Sequence, residues 1–219
     1  LGDPDFVKVP VNELIDPAYA ASRMTSMNFN QATKSADVQA GAFPGYESPE
    51  TTHYSIVDGE GNAVSITTTL NNAYGSKVFV AGSGFLLNDE MDDFSAKAGA
   101  PNLYGLIGSK ANEIQPNKRM LSSMTPTIVE ENGKLKMVVG TPGGSTIITS
   151  VFQVVLNTLE MGMNMQQAVE YPRFHHQWLP EKITSEPNRF SAEQQVRLQS
   201  KGYTFAPVSA IGLVEGILV

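Results

Sequence analysis

Two adjacent threonines, Thr51 and Thr52, open the stretch TTHYSIVDGEGNAVSITTTLNN, and Thr67, Thr68 and Thr69 lie near its end. The chain has no cysteine, three histidines and no serine in a GxSxG setting. An acyl-transfer reaction here would need a hydroxyl nucleophile. A threonine hydroxyl becomes reactive when a base takes its proton. A free α-amine on the same residue can do so, because its pKa of roughly 8 lies near working pH. Thr51 follows Glu50, so its nitrogen is an amide. The chemistry therefore requires the Glu50–Thr51 bond to be cut. The same threonines are also ordinary β-formers for a half-exposed strand, and residue types alone leave both readings open.

Four further groups carry chemical potential. Gly143 and Gly144 stand between a strand-like run and an apolar helix-like run. Successive backbone N–H groups there, with the positive end of a helix behind them, suit an oxyanion. A phosphate would also fit, but the lysine of a Walker motif is missing. On residue types alone a plain strand-to-helix turn is the simpler account of the pair. NDEMDDF places Asp89, Glu90, Asp92 and Asp93 together, which suits a substrate ammonium, a cation or a solvated acidic turn. LSSMTPT sets Ser122 and Ser123 before a strand, as holders of a carboxylate or as a turn pair. RFHHQWLP reads as a packed corner.

These residues need elements to position them. Asp16-Pro17 is a helix start, and a helix over about 17–28 follows. Residues 29–50, punctuated by Gly41, Pro44, Gly45 and Pro49, read as a loop or linker. THYSIVD and NAVSITTTL flank GEG as a hairpin, and GSGFLLND holds a short apolar run. Residues 95–118 form a long loop of the kind that serves as a lid. TPTIVEENGKLKMVVGTPGG is a second hairpin, turned at Glu131-Asn132-Gly133. STIITSVFQVVLNTLEMG is apolar nearly all round, which predicts a buried helix of about 16 residues. NMQQAVEYPRF is a shorter helix stopped before Pro172. Ser191 and Gln194 make a capping box for a helix over about 190–201, with Gly202 at its end. SAIGLVEGILV reads as a strand. The abrupt first and last segments both imply a piece of a longer chain. Two hairpins followed by helices predict an α+β fold with strands and helices segregated.

Composition bounds the function. With 219 residues, 41% hydrophobic and 17% charged, the chain can bury a sizeable core. The net charge of −7 and the lack of a basic stripe argue against nucleic-acid binding. No run of 18 apolar residues is present, so no membrane span is expected. Residues 1–20 lack the pattern of a signal peptide, and an upstream one is left open. Zero cysteines exclude disulfides and cysteine-ligated zinc, and no HExxH-like spacing offers a metal site.

Taken together, TTHYSIVDGEGNAVSITTTLNN, GSGFLLNDEMDDFS, PNKRMLSSMTPTIV, GTPGGSTIITSVFQVVLN and PRFHHQWLP resemble the small subunit of the gamma-glutamyltranspeptidase family. The resemblance is densest over 51–180. Residues 1–50 resemble the tail of that family's large subunit plus a linker, and 51–219 its small, catalytic subunit. The resemblance implies an N-terminal nucleophile hydrolase fold, a four-layer αββα sandwich, here partial because the large-subunit part is absent. It implies self-cleavage before Thr51. It also implies attack of Thr51 on the γ-glutamyl amide of glutathione and related compounds, then resolution of the ester by water or an amino-acid or dipeptide acceptor.

The same resemblance assigns roles. Thr69 matches the threonine that hydrogen-bonds the nucleophile, and Gly143 and Gly144 match the oxyanion pair. Asn71, Glu90 and Asp93 match positions that bind the substrate α-amino group, and Ser122 and Ser123 match contacts to the α-carboxylate. The 95–109 stretch matches a lid with Tyr104 as its latch. No cofactor and no metal are implied. The expected partner is the large subunit of the same precursor, which supplies an arginine for the α-carboxylate. The expected location is periplasmic or secreted. Two alternatives accompany this reading: a β-lactam (glutaryl) acylase of the same family, and a non-catalytic or unprocessed fragment.

Overall fold

The computed structural model describes residues 2–25, 27–38, 51–95, 110–177 and 180–219. After a single helical turn, α1 (Val11–Leu14), comes α2 (Pro17–Met24). Asp16 caps α2, its Oδ1 accepting from Ala18 N at 2.7 Å. The helix ends four residues before the expected boundary of 28. The Ser22 and Thr25 hydroxyls donate to the carbonyls of Tyr19 and Ser22, both at 2.7 Å. Such local bonds compete with continued helix.

The first hairpin forms as expected. β1 (Thr51–Val57) and β2 (Ala63–Thr69) pair antiparallel, with Thr51 opposite Thr69 and Val57 opposite Ala63. Asp58 closes the turn, its Oδ1 accepting from Glu60 N and Asn62 N at 2.9 Å. A two-residue ladder, β3 (Phe79–Val80) with β4 (Phe85–Leu86), then leads to the acidic segment. The second hairpin is β5 (Thr127–Glu131) and β6 (Lys134–Gly140). Asn132 and Gly133, at φ 55° and 73°, supply the two positive-φ positions of a tight primed turn.

The next helix is shorter than expected. Gly144–Thr146 forms a 3-10 turn, and α3 spans Ile147–Leu159. Its buried residues, Ile147, Ser150, Val151, Val154 and Thr158, recur at helical spacing on one face. Phe152, on another face, is 61% exposed, so the all-round apolar pattern is covered on one side only by the described residues. α4 (Met165–Glu170) follows with its own capping box, Asn164 and Gln167, and stops before Pro172 as expected.

β7 (Phe174–His175), β8 (Ile183–Ser185), α5 (Ala192–Ser200), β9 (Phe205–Pro207) and β10 (Glu215–Leu218) complete the chain. The Ser191–Gln194 capping box forms. β7, β8 and β9 make a separate sheet with a parallel β8–β9 pair. Strands and helices therefore interleave in this half rather than segregate. The expected corner is here: buried Arg173 donates to Ile211 O at 2.8 Å and Val169 O at 2.6 Å, and pairs with Glu186 at 3.2 Å.

β10 joins the free edge of β6, giving a central sheet in the order β10-β6-β5. On one face, Met137 and Val139 pack with Ile147, Val151 and Val154 of α3 and Ala168 of α4. On the other face lies the β1–β2 hairpin. The His53 ring lies against Gly140, where an added Cβ would sit 2.1 Å from it. Ser65 Oγ donates to Val139 O at 3.3 Å. The layers are thus helix, sheet, sheet.

The side of the hairpin that faces inward is the polar one. Thr51, His53, Ser55, Ser65, Thr67 and Thr69 are buried or half-buried. Tyr54, Ile56, Val64 and Ile66 point outward and are 40%, 53%, 43% and 37% exposed. Hydrogen bonding makes the inward choice tolerable: His53 bonds Thr67 Oγ1 at 2.8 Å and Ser55 Oγ at 3.0 Å. Burial lowers the His53 pKa, which favours the neutral ring.

Candidate functional site

The open end of the β1–β2 hairpin is where the predicted residues meet. Thr51 and Thr69 occupy directly opposite positions on its inner side. Opposed residues hold their Cβ atoms about 4.5–5.5 Å apart, within reach of two hydroxyls. Immediately after β2 the chain turns through Asn71 at φ 73°. Its backbone N–H donates to Thr69 Oγ1 at 2.9 Å, orienting that hydroxyl.

Asn71 is buried, and its Nδ2 donates to Asp89 O at 3.3 Å. Asn72 clamps the same turn, donating from N and Nδ2 to the two Asp89 oxygens at 3.0 and 2.7 Å. Asp89 is therefore committed to holding the acidic segment against the end of β2. The segment itself, Glu90–Asp93, is a 3-10 turn anchored by buried Phe94. Burial, reinforced by Glu90, Asp92 and Asp89, pushes the Asp93 carboxyl up to about 7. Burial and then Asp89 raise Glu90 as well. Protonation of Asp93 would relieve crowding among these like charges.

A cavity of about 50 Å³ joins these elements. Thr51, Thr69, Asn71 and Asp93 line one part of it, Ser122, Ser123 and Met124 a second, and Gly144, Ser145 and Ile147 a third. Glu90 and Gly143 adjoin the lining residues without belonging to it. Seven of the predicted residues are thus brought into one small space. Tyr104 and Glu50, the other side of the predicted cleavage point, lie outside the described residues. Among the described residues no group of His, Asp and Glu could hold a metal ion.

The glycine pair is built by backbone constraint. Gly143 and Gly144 sit at φ 141° and 55°, conformations that resist a side chain. A Cβ on Gly143 would also lie 2.7 Å from Thr146 Oγ1 and 3.3 Å from Gly212 Cα. Thr146 donates to Gly143 O from N at 3.1 Å and from Oγ1 at 2.7 Å. Thr141 Oγ1 accepts from Leu213 N at 2.8 Å, tying the strand before the glycines to the 211–214 segment. Neither Thr141 nor Leu213 stood out in the sequence, because the bond between them spans 72 residues.

The PRFHHQ corner reaches the same place. Ser145 Oγ donates to Gln177 Oε1, which also accepts from His175 Nε2 at 2.8 Å. His175 Nδ1 bonds Thr149 Oγ1 on α3 at 2.8 Å. Gln153 then brackets Phe174, donating to its carbonyl at 2.8 Å and accepting from its N–H at 3.2 Å. The corner read as structural in sequence therefore braces the wall of the cavity that carries Gly144 and Ser145.

The gamma-glutamyltranspeptidase sequence profile matches residues 1–219, the whole chain. The chain belongs to this family. It is 50% identical over 219 residues to the glutathione hydrolase proenzyme of Escherichia coli, covering 100% of this chain and 38% of that protein. It thus spans well under half of that relative's length. A mutant gamma-glutamyltranspeptidase from Helicobacter pylori is similar in structure, with TM-score 0.73 and 52% identity over 76% of this chain and 90% of that one. Cephalosporin acylase from Bacillus halodurans has TM-score 0.79 at 25% identity, covering 100% of this chain and 37% of that chain. The α+β fold is that of the N-terminal nucleophile hydrolases, as expected. Its helix–sheet–sheet stack leaves the outer face of the β1–β2 hairpin without a fourth layer among the described residues.

Proposed function

We propose that this gamma-glutamyltranspeptidase chain is a γ-glutamyltransferase and hydrolase acting on glutathione and related γ-glutamyl amides. The observation that carries this reading is the single cavity in which Thr51 and Thr69 meet Asp93, Ser122–Ser123 and Gly144. A γ-glutamyl donor ends in a carbon bearing an ammonium and a carboxylate. Asp93, with Asn71 and Glu90, suits the ammonium. The Ser122 and Ser123 hydroxyls suit the carboxylate. Holding both groups fixes the γ-carbonyl near Thr51.

Cleavage of Glu50–Thr51 frees the Thr51 amine, which takes the proton of Oγ1 as the oxygen attacks the γ-carbonyl. The developing oxyanion faces the backbone N–H groups of the Gly143–Gly144 turn. As the tetrahedral species collapses, the proton passes to the leaving amine and a γ-glutamyl ester remains on Thr51. Water, or the amine of an amino acid or dipeptide, then attacks the ester with the Thr51 amine again as base. Thr69 holds the nucleophile's oxygen in line. Neither metal nor cofactor enters this scheme.

In this proposal residues 1–50 are the tail of the large subunit with a linker, and 51–219 the small subunit. The large subunit of the same precursor is the partner, supplying the arginine for the carboxylate and covering Tyr54, Ile56, Val64 and Ile66. A periplasmic or secreted setting fits the absence of cysteine. Among the described residues no helix is long and apolar enough to cross a membrane.

One second reading has an observation behind it. The likeness to a cephalosporin acylase raises a glutaryl amide as donor, which lacks the ammonium. The acidic turn favours the γ-glutamyl donor. The test is the complete precursor with Thr51→Ala: neither self-cleavage nor turnover of glutathione is expected. Turnover by that variant, its sequence verified, overturns the assignment. A wild-type preference for glutaryl over γ-glutamyl amides would select the second reading.

A further inference from the structure

Asn112 lies outside the predicted site and does not line the cavity, yet it touches both segments that carry the two ends of the proposed donor site. Both polar ends of its side chain are bonded. Nδ2 donates to Asp93 O at 2.7 Å, and Oδ1 accepts from Leu121 N at 2.9 Å. Its backbone carbonyl accepts from Ser95 N at 2.8 Å. It is 4% exposed, so these bonds compete with almost no water. Ser95 and Glu113 add a bridge beside it. One amide therefore spans from the Asp93 main chain to the residue immediately before Ser122.

We propose that Asn112 is a positioning residue that sets the span between Asp93 and Ser122–Ser123, and that this span selects donors bearing both an ammonium and a carboxylate on one carbon. The inference rests on the γ-glutamyl reading and deepens it. The acidic turn and the serine segment are separated by about 30 residues of chain, with the 96–109 stretch between them. Among the described residues, no hydrogen bond joins Asp93 to Ser122 or Ser123 directly. Asn112 is the group that bonds to both flanks. An amide suits the task because it donates to one and accepts from the other at a fixed separation.

Asparagine 112 to aspartate, Asn112→Asp, keeps the shape and the acceptor for Leu121 N–H. It turns an oxygen toward the Asp93 carbonyl in place of the donor, and adds charge beside the acidic turn. The experiment uses the processed full-length protein with two anilide donors, γ-glutamyl anilide and glutaryl anilide, which differ by the α-amino group. With Asn112→Asp, KM for the γ-glutamyl donor is expected to rise about tenfold with kcat nearly unchanged. The glutaryl donor, which cannot use the ammonium site, is expected to keep its kcat/KM within about twofold. Asn112→Gln restores donor and acceptor on a longer stem, and is expected to recover part of the lost selectivity. If Asn112→Asp fails to fold or process, Asn112→Gln and Asn112→Ser are read by the same ratio.

Equal losses on both donors, or a loss confined to kcat, would assign Asn112 a general structural role and overturn the inference. No change in either donor would overturn it as well. Failure of the underlying reading looks different: the wild-type protein would then turn over neither donor, or Thr51→Ala would remain active.

Discussion

Thr51 and Thr69 face each other across the open end of the β1–β2 hairpin, on the side turned toward the second sheet. The Asn71 N–H donates to Thr69 Oγ1 at 2.9 Å and so fixes the second hydroxyl at this end of the hairpin. Thr69→Val keeps the branched shape and removes only the oxygen. It is expected to lower kcat for γ-glutamyl hydrolysis about tenfold, the worth of one hydrogen bond of about 1.4 kcal/mol. KM should hardly move. Steady-state kinetics of the processed protein checks this, and an unchanged kcat would remove Thr69 from the mechanism.

Asp93 predicts a pH signature. Its folded pKa of about 7 lies above the ordinary carboxylate value of 3.8, because burial and neighbouring carboxylates penalise its charge. An ammonium donor binds the ionised form. KM for a γ-glutamyl amide should therefore fall as pH rises through about 7, and Asp93→Asn should abolish that step while raising KM throughout. The stability contribution runs the other way. With the folded pKa raised, it is fully present below 3.8 and lost as pH rises through about 7. Asp93→Asn should accordingly raise Tm at pH 8 relative to wild type, and a fall there would contradict the assignment of burial as the cause.

Gly140 and His53 test the stacking of the two sheets. The His53 ring is held at both nitrogens and lies where a Gly140 Cβ would be. Gly140→Ala should destabilise the folded protein by about 1–3 kcal/mol through overpacking. Denaturant unfolding of the processed protein measures it. His53→Ala in the same background should recover most of the loss, since the ring is the obstacle.

The outward face of the hairpin tests the missing layer. Tyr54, Ile56, Val64 and Ile66 form an apolar patch that a partner segment is expected to cover. The 219-residue chain alone should sediment as larger than a monomer, and Ile56→Lys with Ile66→Lys should return it to one. In the full-length precursor the same double substitution should block assembly of the two subunits. A monodisperse wild-type chain would argue against the patch being a core face.

Much of this architecture was legible locally. Asn132-Gly133 dictates a tight turn, Asp16-Pro17 and Ser191–Gln194 dictate helix starts, and each acts within four residues. The threonines, the glycine pair, the acidic run and the serine pair were recognisable as candidates for the same reason: their chemistry is written in residue type. Tertiary structure alone decided which side of β1–β2 turns inward. Period-two patterning points to Tyr54, Ile56, Val64 and Ile66 as the core face, yet the polar side faces the second sheet. Hydrogen bonds of His53 to Thr67 and Ser55 make the polar side tolerable inward, and alternation by itself does not register them. The roles of Asn112, Thr141 and Gly212, and the parallel β8–β9 pair, were hidden for a related reason. Each depends on groups distant in sequence, and a residue's own type does not reveal which distant backbone it will meet.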